Sequence, residues 1–158
     1  MSVLIAIPAR YASTRYPGKP LVSLKGPDGE KTLIRRSWEA AMAVRGVDRV
    51  VVATDDARIA DHAQGFGADV VMTSSAAQNG TERCAEVVKQ LPGFDVVVNL
   101  QGDAPLTPAW FVEDLIAGLV RPGPQRPAPC AARQIPSSTR RARHPCGVAA
   151  HRYQFQCR

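Results

Sequence analysis

Val3-Leu4-Ile5-Ala6-Ile7-Pro8-Ala9-Arg10-Tyr11-Ala12-Ser13-Thr14-Arg15-Tyr16-Pro17-Gly18-Lys19-Pro20 is the stretch from which the rest of the chain is read. It joins an unbroken apolar run to a loop carrying Arg10, Arg15 and Lys19. Continuous Val/Leu/Ile runs of this kind are strands covered on both faces, the habit of parallel α/β sheets. Ligands of such sheets bind outside the carboxyl ends of the strands. The loop therefore stands where a ligand is expected, and its cations, hydroxyls and glycine suit a highly anionic one.

Working outward, apolar and amphipathic segments alternate. Leu21–Leu24 is a short apolar piece, followed by a turn at Gly26-Pro27-Asp28-Gly29. Thr32 to Val44 reads as a helix with Leu33, Trp38, Ala41 and Met42 on one face, ended by Gly46. Arg49 to Thr54 is a second buried strand, and a helix from Ala57 to about Gln64 follows it. Ala68 to Met72 is a third strand. Thr81 to Leu91 is a helix with Cys84, Val87, Val88 and Leu91 inward, its start favoured by Thr81, Glu82 and Glu86. Asp95 to Leu100 is a fourth strand, and Pro108 to Leu119 a last helix. The alternation predicts an α/β sandwich, with helices around a mostly parallel sheet.

Charge divides the 158-residue chain unevenly. The formal +6 hides a body, residues 1–121, with 13 Lys and Arg against 14 Asp and Glu. Residues 122–158 hold seven Arg and no acid, with three of the four cysteines and six of the 13 prolines. Periodicity is lost there, and such a composition cannot bury enough apolar surface to offset ordering. The segment 121–158 is expected to be a disordered basic tail. Cysteine spacing fits no zinc pattern and no disulfide framework. No apolar run nears the roughly 18 residues of a membrane span, and the start lacks a signal-peptide pattern. The sequence predicts a cytoplasmic protein without a membrane partner.

Candidate site residues cluster where strands end. No Gly-x-Gly-x-x-Gly or Walker sequence follows the first strand. Arg10, Ser13, Arg15 and Lys19 can bind phosphate through guanidinium forks, a hydroxyl and a mobile ammonium. Gly18 lets backbone amides approach an anion. Ala53 leaves room for a flat ring, with Thr54 and Asp55 at its edge; a competing reading makes Asp55 only the cap of the next helix. Gln78, Thr81 and Arg83 can bind ligand or simply open a solvated helix. Asp103, at the mouth of the fourth strand, suits Mg²⁺ held beside a polyphosphate, since that ion takes few protein ligands. His62, His144 and His151 show no ligand spacing. Trp38 and Trp110 read as core.

Ile5 to Leu21 closely resembles the opening of the 3-deoxy-manno-octulosonate cytidylyltransferase family. Val51-Val52-Ala53-Thr54-Asp55, Gln78-Asn79-Gly80-Thr81-Glu82-Arg83 and Val98-Asn99-Leu100-Gln101-Gly102-Asp103 follow in that family's order and approximate spacing. The likeness runs from residue 2 to about 120, roughly the first half of a family member. It implies a Rossmann-like nucleotidyltransferase sandwich, truncated, with 1–120 as its nucleotide-binding domain. It implies transfer of CMP from CTP to 3-deoxy-manno-octulosonate (Kdo), with release of pyrophosphate, for lipopolysaccharide synthesis. Arg15 and Lys19 would hold the β and γ phosphates and Arg10 the α-phosphate. Asp103 would ligate Mg²⁺, so that Arg10, Lys19 and Asp103 form the catalytic set. Ala9, Ser13, Ala53, Thr54 and Asp55, with Gln78, Gly80, Thr81 and Arg83, would line the nucleotide. Gln101 would reach the sugar or the nucleotide.

The resemblance also implies partners: CTP, an acidic eight-carbon sugar and a second copy of the chain. Two departures are small, Ala104 where the family commonly has Glu, and Asn79 where serine is usual. The tail is the large departure. The family's second half supplies sugar contacts, the dimer surface and another carboxylate in a Gly-Val-Asp-Thr-Pro stretch, whereas Asp114 is the last acid here. A frameshifted continuation from about residue 121 accounts for its composition, and the chain as it stands is expected to lack turnover. Two rival readings stand beside this one. One is a related nucleotidyltransferase using another acid sugar or base. The other is a nucleic-acid binder working through the tail arginines, disfavoured because only Tyr153 and Phe155 could stack and no groove-reading motif is present. No nucleic-acid partner is expected.

Overall fold

The computed structural model describes residues 1–12 and 16–120. The expectations for Ser13, Arg15 and the tail lie outside the described residues.

Four strands form a parallel sheet, β1 (Val3–Ala9), β4 (Arg49–Thr54), β5 (Asp69–Met72) and β6 (Val96–Asn99), in the order β5-β4-β1-β6. A separate antiparallel hairpin joins β2 (Ser23–Gly26) to β3 (Gly29–Thr32). The helices are α1 (Leu33–Met42), α2 (Ala57–Gly65), α3 (Gly80–Gln90) and α4 (Ala109–Val120), and a short 3-10 turn covers Lys19–Leu21. None of these helices is long and apolar enough to cross a membrane.

β1 is central because every one of its residues is buried, and its alternating side chains serve two cores. Val3, Ile5, Ile7 and Ala9 face Ile34 and Ala41 of α1, Ile59 and Ala63 of α2, and Val112 and Ile116 of α4. Leu4 and Ala6 face the other way, toward Cys84 and Val87 of α3. A fully buried Leu or Ile is worth about 1.5–3 kcal/mol, so this single strand anchors both layers. Burial pushes the Cys84 thiol up to about 11, which makes it a packing group and not a nucleophile.

Several local expectations need correction. Met42 is exposed at the end of α1, and Ile34 and Ser37 take the buried positions instead. Val88 faces solvent on α3, where Arg83 is buried. Trp38 packs against the core and tilts on Phe66; Trp110 is 62% exposed and is not a core residue. The cap of α2 is Asp56, whose carboxylate accepts the Arg58 N–H, and not Asp55. α3 is capped by Asn79, not Thr81. Asn79 Oδ1 accepts the Glu82 N–H at 2.9 Å, while Glu82 Oε2 accepts the Gln78 N–H at 2.8 Å. Asparagine caps as well as serine does, so the unusual residue keeps the helix start.

Candidate active site

The sheet order puts β6 on one side of β1 and β4 with β5 on the other. The progression of strand order therefore reverses at β1, between the parallel strands β1 and β6, the switch point at which such sheets open a crevice. The register pairs Ala6 with Asn99, and the Leu100 N–H continues the ladder to the Ala6 carbonyl at 3.1 Å. Beyond that point, residues following both strands line a cleft of about 970 Å³.

One wall comes from the end of β1 and the turn after it. Arg10 Nη1 donates to the Gln78 carbonyl at 3.2 Å, bridging to the α3 entry. Gly18 adopts a left-handed conformation, φ 70°, before the 3-10 turn, a geometry glycine takes without penalty. Lys19 leaves that turn toward the opposite wall, and its Nζ donates to Asp103 Oδ2 at 2.6 Å. Residues 84 positions apart in sequence thus meet across the cleft.

The opposite wall is the Gln101-Gly102-Asp103 turn. Gly102 is pressed against β1, where an added Cβ would stand 2.8 Å from the Pro8 carbonyl oxygen. Ser37, fully buried on α1, holds the same turn, with its Oγ donating toward the Gly102 carbonyl at 2.9 Å. Gln101 donates to Asn99 Oδ1 at 3.0 Å. The floor is Ala77 to Gly80 at the N-terminus of α3, an end that carries partial positive charge.

Arg83 reaches the cleft from beneath and is 2% exposed. Its guanidinium stands 3.3 Å from Asp55 Oδ1, without the alignment of a hydrogen bond, and donates to the Thr73 hydroxyl.

Ala9, Arg10, Lys19, Gln78, Gly80, Arg83, Gln101 and Asp103 therefore line one cleft. Ala53, Thr54, Asp55 and Thr81 lie off its lining. Ala53 and Thr54 are fully buried, and the Thr54 hydroxyl accepts the Asp56 N–H at 3.2 Å. Asp55 is off the lining but stands against Arg83, which is on it. The cleft also takes in Asn79, noted above as a departure from the family, and Tyr16, Pro20, Val22 and Leu24, which the sequence reading did not single out. Ser37 was missed as well; a serine on the apolar stripe between Leu33 and Ala41 was the available signal.

Comparison with known proteins places the chain. The profile of the cytidylyltransferase family matches residues 4–124. The 3-deoxy-manno-octulosonate cytidylyltransferase of Maricaulis maris is 54% identical over 113 residues, 71% of this chain and 42% of the relative. That of Zea mays is 51% identical over 116 residues, 73% of this chain and 38% of the relative. A solved structure of CMP:2-keto-3-deoxy-manno-octonic acid synthetase complexed with CTP superposes with a TM-score of 0.70 at 41% identity. It covers 75% of this chain and 47% of that one. The chain spans less than half the length of these relatives. Its Rossmann-like sheet, with the cleft at the switch point, is that of a nucleotidyltransferase, and the chain belongs to the cytidylyltransferase family.

Proposed function

We propose that the cleft binds CTP with Mg²⁺, and that residues 1–120 are the nucleotide half of a machine transferring CMP to Kdo. The observation that carries this reading is the meeting of Lys19 with Asp103 at 2.6 Å across the switch-point cleft. A cation and a carboxylate that close on each other in the free protein are the pair a metal triphosphate would separate.

Among the described residues no group of three or more His, Cys, Asp or Glu is placed to hold a metal by itself. Asp103 offers one carboxylate, about half exposed, with Lys19 on one of its oxygens. That donor set fits an ion that draws most of its shell from phosphates and water. When bound, Mg²⁺ supplies charge neutralisation on phosphate oxygens.

The remaining work falls to this chain's own groups. Lys19 releases Asp103 and takes a terminal phosphate, where its ammonium offsets the charge of departing pyrophosphate. Arg10, at the end of β1, faces the α-phosphate, and Arg15 contributes a second guanidinium to the terminal phosphates. The amide-rich floor at Gln78–Gly80 and the Arg83 guanidinium beneath it hold the nucleoside end. Gln101 hydrogen-bonds the nucleotide or the incoming sugar. The reaction joins the sugar's anomeric oxygen to the α-phosphorus and breaks the bond to the β-phosphate, so positioning is the main demand on the protein. CTP and an acidic eight-carbon sugar are the proposed partners, a dimer surface is proposed to lie in the part of the relatives this chain does not span, and the cytoplasm is the proposed compartment.

Titrating the chain with CTP, UTP, ATP and GTP in the presence of Mg²⁺ tests the nucleotide reading. CTP should bind tightest, and pyrophosphate release with Kdo should stay at background. A preference for a purine nucleotide would refute the assignment, whereas release at the rate of a full-length relative would overturn only the expectation that this chain lacks turnover.

A further inference from the structure

Lys19 can meet a phosphate in a fixed place only if the residue before it is held, and the groups that hold it lie outside the cleft lining. The Gly18 N–H donates to the Tyr11 carbonyl at 2.9 Å. The Tyr11 ring packs beneath the glycine so closely that an added Cβ would stand 3.1 Å from Cε2. Over the ring sits the Arg58 guanidinium, with Cζ 3.3 Å from the ring centroid. Arg58 is itself gripped by Asp56, Nε to Oδ1 at 2.9 Å and Nη2 to Oδ2 at 2.6 Å. Asp56 caps α2, so the fork is rooted at a helix terminus, and α2 also touches the Lys19–Leu21 turn.

We infer that Tyr11 and Arg58 are positioning residues for Lys19: Arg58, locked by Asp56, pins the Tyr11 ring under Gly18 and so fixes where the ammonium leaves the turn. Arg58 is 59% exposed at its side chain, so the core does not need it. A cation over an aromatic face is attracted by the ring quadrupole, and a bidentate carboxylate narrows the arginine's own freedom. Without Arg58 the ring moves more freely, the Gly18 to Tyr11 hydrogen bond opens more often, and Lys19 spreads over more positions. The consequence falls on ligand affinity and not on global stability. For its binding arm this inference rests on the nucleotide reading above.

Amide hydrogen exchange at Gly18, followed by NMR on the full chain, reads the hold directly, and titration with CTP and Mg²⁺ reads its effect. Arg58→Ala and Tyr11→Leu should speed Gly18 exchange about three- to tenfold, the scale of a partly exposed cation–π contact. They should weaken CTP binding by a similar factor, with amides of β1 and α3 unchanged. Tyr11→Phe keeps the ring and should match the parent in both. Unchanged Gly18 exchange in Arg58→Ala overturns the assignment. So does Tyr11→Phe behaving like Tyr11→Leu, or acceleration spread equally over β1 and α3. If the parent chain does not bind CTP, the nucleotide reading falls, while the exchange comparison still decides the positioning role.

Discussion

Lys19–Asp103 and Arg83–Asp55 are both cation–carboxylate pairs joining distant parts of the chain, yet they differ sharply in burial. The first has side chains 47% and 52% exposed; the second, 3% and 18%. An exposed pair is worth about 0–1 kcal/mol, so water, a phosphate or a cation can replace either partner at little cost. A buried pair is different, because removing one member strands the other in a poor solvent. On the proposed reading the first pair is the one exchanged for ligand, while the second stays closed and keeps the Arg83 guanidinium under the cleft.

Breaking the buried pair should have the largest effect. Arg83→Met leaves the Asp55 carboxylate without its counter-charge and should cost about 3–5 kcal/mol in urea unfolding. Arg83→Met combined with Asp55→Asn should recover part of that loss, since the two changes share one interaction. A loss below about 1 kcal/mol would erase the contrast with the exposed pair.

Gly102→Ala comes next. It forces a methyl against the Pro8 carbonyl and should cost about 1–3 kcal/mol, while shifting Asp103 without altering its charge. CTP affinity should fall with it; unchanged affinity would mean that the Asp103 position is not critical.

Lys19→Met should separate stability from binding. Unfolding free energy should change by less than about 1 kcal/mol. Loss of a charge-assisted hydrogen bond to phosphate should weaken CTP about ten- to a hundredfold. An equal effect on both would make Lys19 a structural residue.

The smallest effect concerns a third pair, in which Arg45 is exposed and Glu113 half-buried. Arg45 hydrogen-bonds Glu113 and holds its carboxyl down at about 2, against an ordinary 4.5. A lowered folded-state pKa stabilises above the unfolded value and is lost as pH falls through the folded one. The Glu113 contribution should therefore be complete above about pH 4.5 and fade toward pH 2. Glu113→Gln should slightly lower stability at neutral pH, flatten the acid branch of the stability profile and converge with the parent toward pH 2.

How much of this was legible follows the same divide between packing and exchange. β1 and β4 read cleanly because continuous apolar runs have few other uses, and Lys19 and Asp103 were placed at strand ends by the same logic. The apolar stripe of a helix was harder to read. α4 is apolar around most of its surface, so periodicity could not say that Val112 and Ile116 go inward while Trp110 stays out. Two adjacent acids, Asp55 and Asp56, offer equal capping chemistry, and only the phase of α2 decides between them. The role of Ser37 depends on a turn 65 residues away, a contact no local pattern encodes.

The central claim, that Lys19 and Asp103 part to admit a metal triphosphate, is met most directly by calorimetric titration of CTP with and without Mg²⁺, on the parent chain and on Asp103→Asn. The parent should bind CTP at least about tenfold tighter with Mg²⁺, and Asp103→Asn should lose most of that gain while staying folded. Equal affinity with and without Mg²⁺ in the parent, or a gain that survives Asp103→Asn intact, would contradict it.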